Sequence, residues 1–579
     1  MEKKFHRNWR TNLILIIIFL CGAAIISRLF FLQILNHKLY QAQALGQQAG
    51  FASKIGERGH IFCSNSQQNK GENSSGGEVK SLAINNNEWS IFAYMSQIED
   101  KEKFAEILSQ NINQEKNEIL SKINTDNSYV LIEKGLREDE LNKLKSLNLS
   151  GLKWEGESKR YYPQGKFAAN VLGFLGGEGV GQYGIEGYYE DKLKGKFGIK
   201  EEKKGLELLF LEEQLLNGSD IYLTIDYNIQ FKAESLLEEA KEKYNIDSGQ
   251  ILVMKPNTGR ILAMANYPSF DPNQYFNVNS MDVFQNATVQ KLFEPGSIIK
   301  PITMAIAMNE GKINPDTTYI DTGALSFGTK TIHNFDNKVY NQQTMTQVLE
   351  NSINTGAVYA QEQVSHKTFI NYLKRFGFVE KTGIDLQGEV YSHNESLMSE
   401  SAPDMNFATA SFGQGIEVTP IQMIRAFCAL INDGKLVTPY IIDKIVSGSD
   451  EVYTKPKYSE QVISKETLSK ITSMLVSVVD NGFSKVAKIN GYYIAGKTGT
   501  AQVPLINGKG YDEEKTIQSF IGFGPAYDPQ FLILVKLDNP KVSKSSLSAV
   551  PIFKQLAQYI INYWQIPPDY GDGAISVKK

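Results

Sequence analysis

Cysteine is nearly absent: Cys21, Cys63 and Cys428 are the whole supply in 579 residues. Three scattered thiols exclude a disulfide framework and a cysteine-built zinc site. Six dispersed histidines form no metal-ligand cluster. An excess of positive charge is also lacking. Lys+Arg 60 against Asp+Glu 64 gives a net charge of −4, so no global basic field draws in nucleic acid. Mean hydropathy is −0.28, which excludes a polytopic membrane protein. What is present is 42% hydrophobic and 21% charged residues, an ordinary globular balance that excludes a mostly disordered chain. At roughly 150 residues per domain, the length predicts two to four domains.

One long apolar run exists. Leu13 to Ile26 is unbroken, and Leu29 to Leu35 extends it past Ser27 and Arg28. At about 1.5 Å per residue, positions 13–35 reach roughly 35 Å, enough for a hydrocarbon core of about 30 Å. No small-x-small cleavage site follows, and Leu20 spoils a lipobox at Cys21. Lys3, Lys4, Arg7 and Arg10 precede the run. The positive-inside rule then predicts a cytoplasmic tail (1–12), a transmembrane signal anchor (13–35) in the cytoplasmic membrane, and everything later outside the cytoplasm.

Residues 37–215 are punctuated and mixed, with a polar stretch at 64–77 that reads as a loop and Glu/Lys-rich helical spacing at 99–123 and 137–147. From Asn217 the texture changes. DIYLTID (220–226) alternates like a strand, 229–244 has a helical period, and 249–254 with 261–266 reads as a β-hairpin. FLILVKL (531–537) reads as a core strand and 552–564 as a closing helix, followed by a loose tail from 567 to 579. Helices bracketing antiparallel strands predict an α+β multidomain protein whose 216–566 part is an α/β sandwich rather than a doubly wound sheet.

FEPGSIIKPIT (293–303) sets Ser297 and Lys300 at i, i+3, where an amine reaches a hydroxyl from one helix face. Pro295-Gly296 signals a helix start, and Pro301 is tolerated only in a first turn. SGLK (150–153) matches the same weak pattern, and KTGI (381–384) imitates the later one. SIN (352–354) offers Ser352 and Asn354. KTGT (497–500) offers Lys497, Thr498, Gly499 and Thr500. GVGQYG (179–184) has no acidic ribose partner in a βαβ context, and EDELN (138–142) reads as a solvated helix face.

Ser-x-x-Lys, Ser-x-Asn and Lys-Thr-Gly-Thr in that order form the signature of the penicillin-interacting serine enzymes. With GSDIYLTIDYNIQ (218–230), MKPNTGRILAMANYPSFDPN (254–273), FGQGIEVTPIQM (412–423) and FIGFGPAYDP (520–529), the chain resembles a class B penicillin-binding protein of the division-specific FtsI type. RLFFLQ (28–33), RGHI (58–61) and GQYGIEGYYEDKLKG (181–195) extend the resemblance upstream. Phe62-Cys63-Ser64 replaces the family's usual Asp-Arg-Asn-Gly, and the middle motif is Ser-Ile-Asn instead of Ser-Ser-Asn.

The resemblance implies a serine β-lactamase-like transpeptidase domain over 216–566 and an elongated α+β pedestal over 37–215 of the dimerisation type. It implies a peptidoglycan D,D-transpeptidase acting through a Ser297 acyl-enzyme on stem peptides of lipid II-derived glycan, with β-lactams as covalent inhibitors. Lys300 would be the base, Ser352 the proton relay and Asn354 a hold on the substrate amide. Lys497, Thr498, Gly499 and Thr500 would bind the terminal carboxylate. No cofactor, metal or nucleic acid is implied; the partners would be an FtsW-type glycosyltransferase and other divisome proteins. An elongation-type enzyme of the same chemistry and a catalytically idle scaffold are the rival readings. The glycine-rich joint 176–184 suits a hinge. With 37–215 read as a pedestal and docking surface, removing 37–210 should leave penicillin labelling of the remaining domain largely intact but abolish septal function.

Overall fold

The computed structural model describes residues 9–30, 56–65, 78–195, 217–505 and 510–571. The chain packs as two units, one of Met1–Gly59, Asp191–Ser219 and Ser447–Ser449, the other of His60–Glu190, Asp220–Val446 and Asp450–Lys579. The polar stretch 64–77 beyond Asn65, the end of the expected anchor at 31–35, and the tail beyond Gly571 lie outside the described residues.

In the smaller unit, helix α1 (Trp9–Phe30) exposes Ile14 to Leu20, Ile25, Ile26, Leu29 and Phe30. Among the described residues no helix is long and apolar enough to cross a membrane. Three chain segments of this unit are tied by hydrogen bonds: Gly59 N donates to Leu193 O (2.8 Å), Gly218 N to Glu57 O (2.8 Å), and the Ser219 and Ser447 hydroxyls lie 2.6 Å apart.

The larger unit begins with strand β1 (Ile61–Ser64), followed by β2 (Val79–Tyr94), β3 (Tyr129–Leu136) and β4 (Leu152–Tyr161). Where the family motif is replaced, a strand still forms. Ile61 and Cys63 turn inward, and Phe62 stacks on Tyr222 at 4.9 Å. Burial pushes the Cys63 thiol up to about 12, so it acts as a small inert hydrophobe. The helical pattern at 99–123 resolves into two helices, Lys101–Ser109, capped by Asp100, and Lys116–Ile123. These pack Phe104, Leu108, Ile119 and Ile123 against Ile91 and Ile132 of the strands.

β5 (Asp220–Asp226) leads into α2 (Tyr227–Tyr244), whose first N–H groups are accepted by the Asp226 side chain. β6 (Ser248–Met254) and β7 (Ile261–Tyr267) form the expected hairpin. Helices α3 (Lys300–Asn309) and α4 (Asn354–Glu362) follow, then β8 (Ile442–Ser447), β9 (Asp450–Tyr453), β10 (Ala495–Pro504), β11 (Tyr511–Gly524), β12 (Phe531–Asp538) and α5 (Ala549–Trp564).

The central sheet runs β10-β11-β12-β6-β7, antiparallel throughout. α2 and α5 bury Leu236, Leu237, Phe553 and Ile560 against one face, with Ile251, Phe520 and Val535 beneath them. Helix Pro420–Cys428 packs on β6 and β12. A second sheet runs β9-β8-β5-β1-β2-β3, with β4 also on β2, and β1 lies parallel to β5. The pedestal strands therefore continue into a strand of the catalytic part. The joint 176–184 closes as a small hairpin, Phe174–Leu175 on Gly181–Gln182. Next to it Arg160 Nε donates to the fully buried Glu186 at 2.7 Å, and Tyr162 Oη donates at 3.2 Å. This buried, hydrogen-bonded ion pair anchors the chain just after the joint, where breaking it would be costly.

Candidate active site

Gly296–Ile299 forms a single 3-10 turn that runs straight into α3, with Pro301 in its first turn. The missing proline N–H would have been unpaired there in any case, so the residue costs the helix nothing. Ser297 is half-buried on this turn, and Lys300 is wholly buried at the helix start.

The Lys300 amine meets the middle motif. Its Nζ donates to Ser352 O (2.6 Å), Ser352 Oγ (3.3 Å) and Asn354 Oδ1 (2.8 Å). Ser352 follows helix Met345–Glu350 with φ at +54°, a left-handed backbone that disfavours a residue with a Cβ. That backbone state accompanies a serine that offers both its carbonyl and its hydroxyl to one amine; strain of this kind concentrates at functional sites. From the sheet, Lys497 Nζ donates to the same Ser352 Oγ at 2.9 Å and to Thr498 O at 3.1 Å. Ser352 Oγ is thus the atom shared by both lysines. Ser297 Oγ makes no hydrogen bond among the described residues, and the amine expected to reach it is turned toward Ser352 and Asn354.

Both amines are buried, and among the described residues no carboxylate pairs with either. Burial lowers the Lys300 pKa well below its ordinary value, and repulsion from Lys497 lowers it further. Burial alone brings Lys497 down to about 7. The lysine expected to bind the terminal carboxylate is therefore itself drawn toward the neutral form.

β10 is an edge strand of the central sheet, so alternate N–H groups of KTGT are not used by the ladder. Gly499 faces the nucleophile turn. A Cβ there would sit 2.4 Å from Ser519 Oγ and 3.1 Å from Pro295 O, which only glycine avoids. Thr498 is buried with its hydroxyl 3.3 Å from Lys497 Nζ, and the Thr500 hydroxyl lies 3.3 Å from that of Ser545. The structure thus gathers Lys300, Ser352, Asn354 and Lys497 into one bonded cluster, with Ser297 and Gly499–Thr500 alongside. The imitators lie elsewhere. Ser150 bonds Gln97 O next to β4, and Thr382 is held by Glu389 in a loop.

Residues 249–558 match the family model of the penicillin binding protein transpeptidase domain, and residues 56–213 that of the penicillin-binding protein dimerisation domain. The chain is a class B penicillin-binding protein. It is 35% identical to stage V sporulation protein D of Bacillus subtilis, over 79% of this chain and 73% of that one. It is 28% identical to peptidoglycan D,D-transpeptidase FtsI of Buchnera aphidicola, over 98% and 97% of the two chains. Among solved structures, penicillin binding protein 2X of Streptococcus thermophilus shares the fold with a TM-score of 0.75 at 23% identity, over 89% of this chain and 81% of that one. Penicillin binding protein 3 of Mycobacterium tuberculosis, complexed with aztreonam, gives 0.65 at 28% identity, over 72% and 92%.

Several supports of this penicillin-binding protein's site lie outside its three short catalytic motifs. Asn334 Oδ1 accepts from the backbone N–H of Asn354 (3.0 Å) and of Thr355 (3.1 Å), and Asp321 accepts from Asn334 and Thr355. Asn354 Nδ2 donates to His333 O at 2.9 Å, so the amide expected to bind substrate is already engaged on both sides. Gly413, inside the family segment FGQG, accepts from Gly296 N at 3.0 Å. Its φ is +89°, and a Cβ there would lie 2.2 Å from Gly296 O.

Proposed function

We propose that this protein is a peptidoglycan D,D-transpeptidase that crosslinks stem peptides through a Ser297 acyl-enzyme. The observation that carries the reading is the convergence of Lys300, Ser352, Asn354 and Lys497 on one buried hydrogen-bonded cluster beside Ser297. Neutral Lys300 has two N–H groups for its short contacts to Ser352 O and Asn354 Oδ1, and a lone pair left to take a proton. Ser297 Oγ attacks the penultimate D-Ala carbonyl and gives its proton to Lys300. The bond to the terminal D-Ala breaks, and its amine leaves with a proton relayed through Ser352. Lys497 and the β10 edge hold the substrate carboxylate, while the N–H groups of Ser297 and Thr500 receive the oxyanion. Each such donor is worth about 3–4 kcal/mol in comparable enzymes. An acceptor amine then attacks the ester, releases its proton to Lys300, and restores the Ser297 hydroxyl.

Septal wall synthesis is the cellular role, supported by the FtsI-named relatives. A second reading, the same chemistry in spore formation, is favoured by the 35% identity to a stage V sporulation protein. An FtsW-type glycosyltransferase and small divisome proteins are the proposed partners. The exposed apolar face of α1 supports a single membrane anchor with residues 37–579 outside the cytoplasm.

Labelling with a fluorescent penicillin and mapping the modified residue tests the chemistry. The label should sit on Ser297 and vanish in Ser297→Ala while the protein stays folded. Label on another serine, or label that survives the substitution, overturns the assignment.

A further inference from the structure

Glu294 lies three residues before Ser297 and takes no part in the chemistry above. It is buried, with 7% of its surface exposed. Its Oε1 accepts from Gly415 N at 2.9 Å and from Tyr511 Oη at 3.2 Å. Its Oε2 is buried and has no hydrogen-bond partner among the described residues. Among the described residues no cation neighbours the carboxylate; desolvation raises its pKa, and the nearby Glu417 raises it further. A buried carboxylate with one bare oxygen is costly to a fold, and such exceptions concentrate at functional sites.

Its two partners explain the placement. Gly415 belongs to the loop whose Gly413 carbonyl accepts from Gly296 N. Tyr511 opens β11 and stands opposite Pro504 in the hairpin that carries Lys497–Thr500. One oxygen therefore joins the nucleophile turn, the loop clasping that turn, and β11, the strand paired with the one expected to bind the substrate carboxylate.

We propose that Glu294 is a positioning residue that sets the distance between the Ser297 turn and the Lys497–Thr500 strand, through Gly415 and Tyr511. The two oxyanion donors come from these separate elements, so their spacing depends on whatever ties the elements together. The inference rests on the transpeptidase reading. The bare Oε2 separates shape from charge: Glu294→Gln keeps an acceptor at Oε1 and places its amide on the unpaired side, whereas Glu294→Ala removes the tie.

The test is the stopped-flow acylation of the whole protein by a penicillin, resolved into non-covalent affinity and the covalent step, alongside thermal melting. Glu294→Ala should slow the covalent step by about tenfold to a hundredfold, the scale of a small misplacement of reacting groups. Non-covalent affinity should change far less. Glu294→Gln should recover to within about threefold of wild type. Tyr511→Phe, which leaves Glu294 and its Gly415 contact in place, should give a smaller loss. Added to Glu294→Ala, Tyr511→Phe should cost nothing more, because both act through one oxygen. Wild-type rates in Glu294→Ala and Tyr511→Phe overturn the proposal, as does a loss that falls equally on affinity and melting temperature with no recovery in Glu294→Gln. Absence of any acylation in the wild type would instead overturn the transpeptidase reading.

Discussion

The chemistry of the single residue Lys300 depends on keeping a buried amine uncharged. It is fully buried, its contacts are a carbonyl, a hydroxyl and an amide oxygen, and the nearby charge is another lysine. All of these surroundings favour the free base over a charged, desolvated ammonium. Lys300→Ala should therefore slow penicillin acylation by about 10²–10⁴, the usual cost of losing a general base, read from the time course of labelling. A near-normal rate would move the base role to Lys497. Lys497 also carries a stability signature. Its folded-state pKa of about 7 lies below the unfolded value of about 10.4, so the folded protein binds fewer protons between those limits. The penalty is complete below pH 7 and is relieved as pH rises through that window. Melting temperatures of wild type and Lys497→Met, compared across pH, should show the wild type gaining ground between about pH 7 and 10.4. A flat difference would mean that Lys497 stays charged.

At the scale of elements, the site is a junction of a helix start, a strained turn and a sheet edge. A 3-10 turn leading into α3 leaves N–H groups unbonded at its start, and the edge position of β10 leaves others unbonded along Lys497–Thr500. These two sets of donors can face one oxyanion only if the elements approach closely. Gly499 permits the approach from the strand, and Gly413 permits it from the opposite loop. Gly413→Ala should destabilise by about 1–2 kcal/mol from the left-handed backbone alone. It should also cut acylation about tenfold or more, because the added methyl pushes on the Gly296 carbonyl. Labelling and melting of the same preparation check both effects. Unchanged labelling would show that the turn tolerates the shift.

On the scale of the whole molecule, pedestal and catalytic part share a sheet. β5, on the catalytic side, is paired with β8 on one edge and with β1 on the other. Removing residues 37–210 would strip β1 away and leave a bare strand edge over Ile221, Leu223 and Ile225, all buried. Labelling of the remaining domain should still be largely intact, with the loss falling on stability. The truncated protein should still acylate at room temperature, because the cluster around Ser352 lies outside this sheet. It should melt several degrees lower and aggregate more readily than the full chain. Equal melting temperatures would show that β1 adds nothing to the catalytic part.

Local rules carried much of this protein. Alternation marked β5 and the β6–β7 hairpin, and the three short motifs named Ser297, Lys300, Ser352, Asn354 and Lys497, because side-chain type and spacing are written directly in the chain. Cys63 could be seen in sequence as a departure from the family motif, but its burial in a strand could not. Asn334 and Asp321 were illegible for a related reason, and Glu294 and Gly413, though inside quoted family segments, gave no sign of their contacts: the partners lie tens to hundreds of residues away, and no local period encodes such contacts. The protonation of the two lysines likewise depended on the fold. A lysine is a cation in water, and only burial in the fold lowers both amines toward the neutral state, with repulsion from Lys497 added at Lys300.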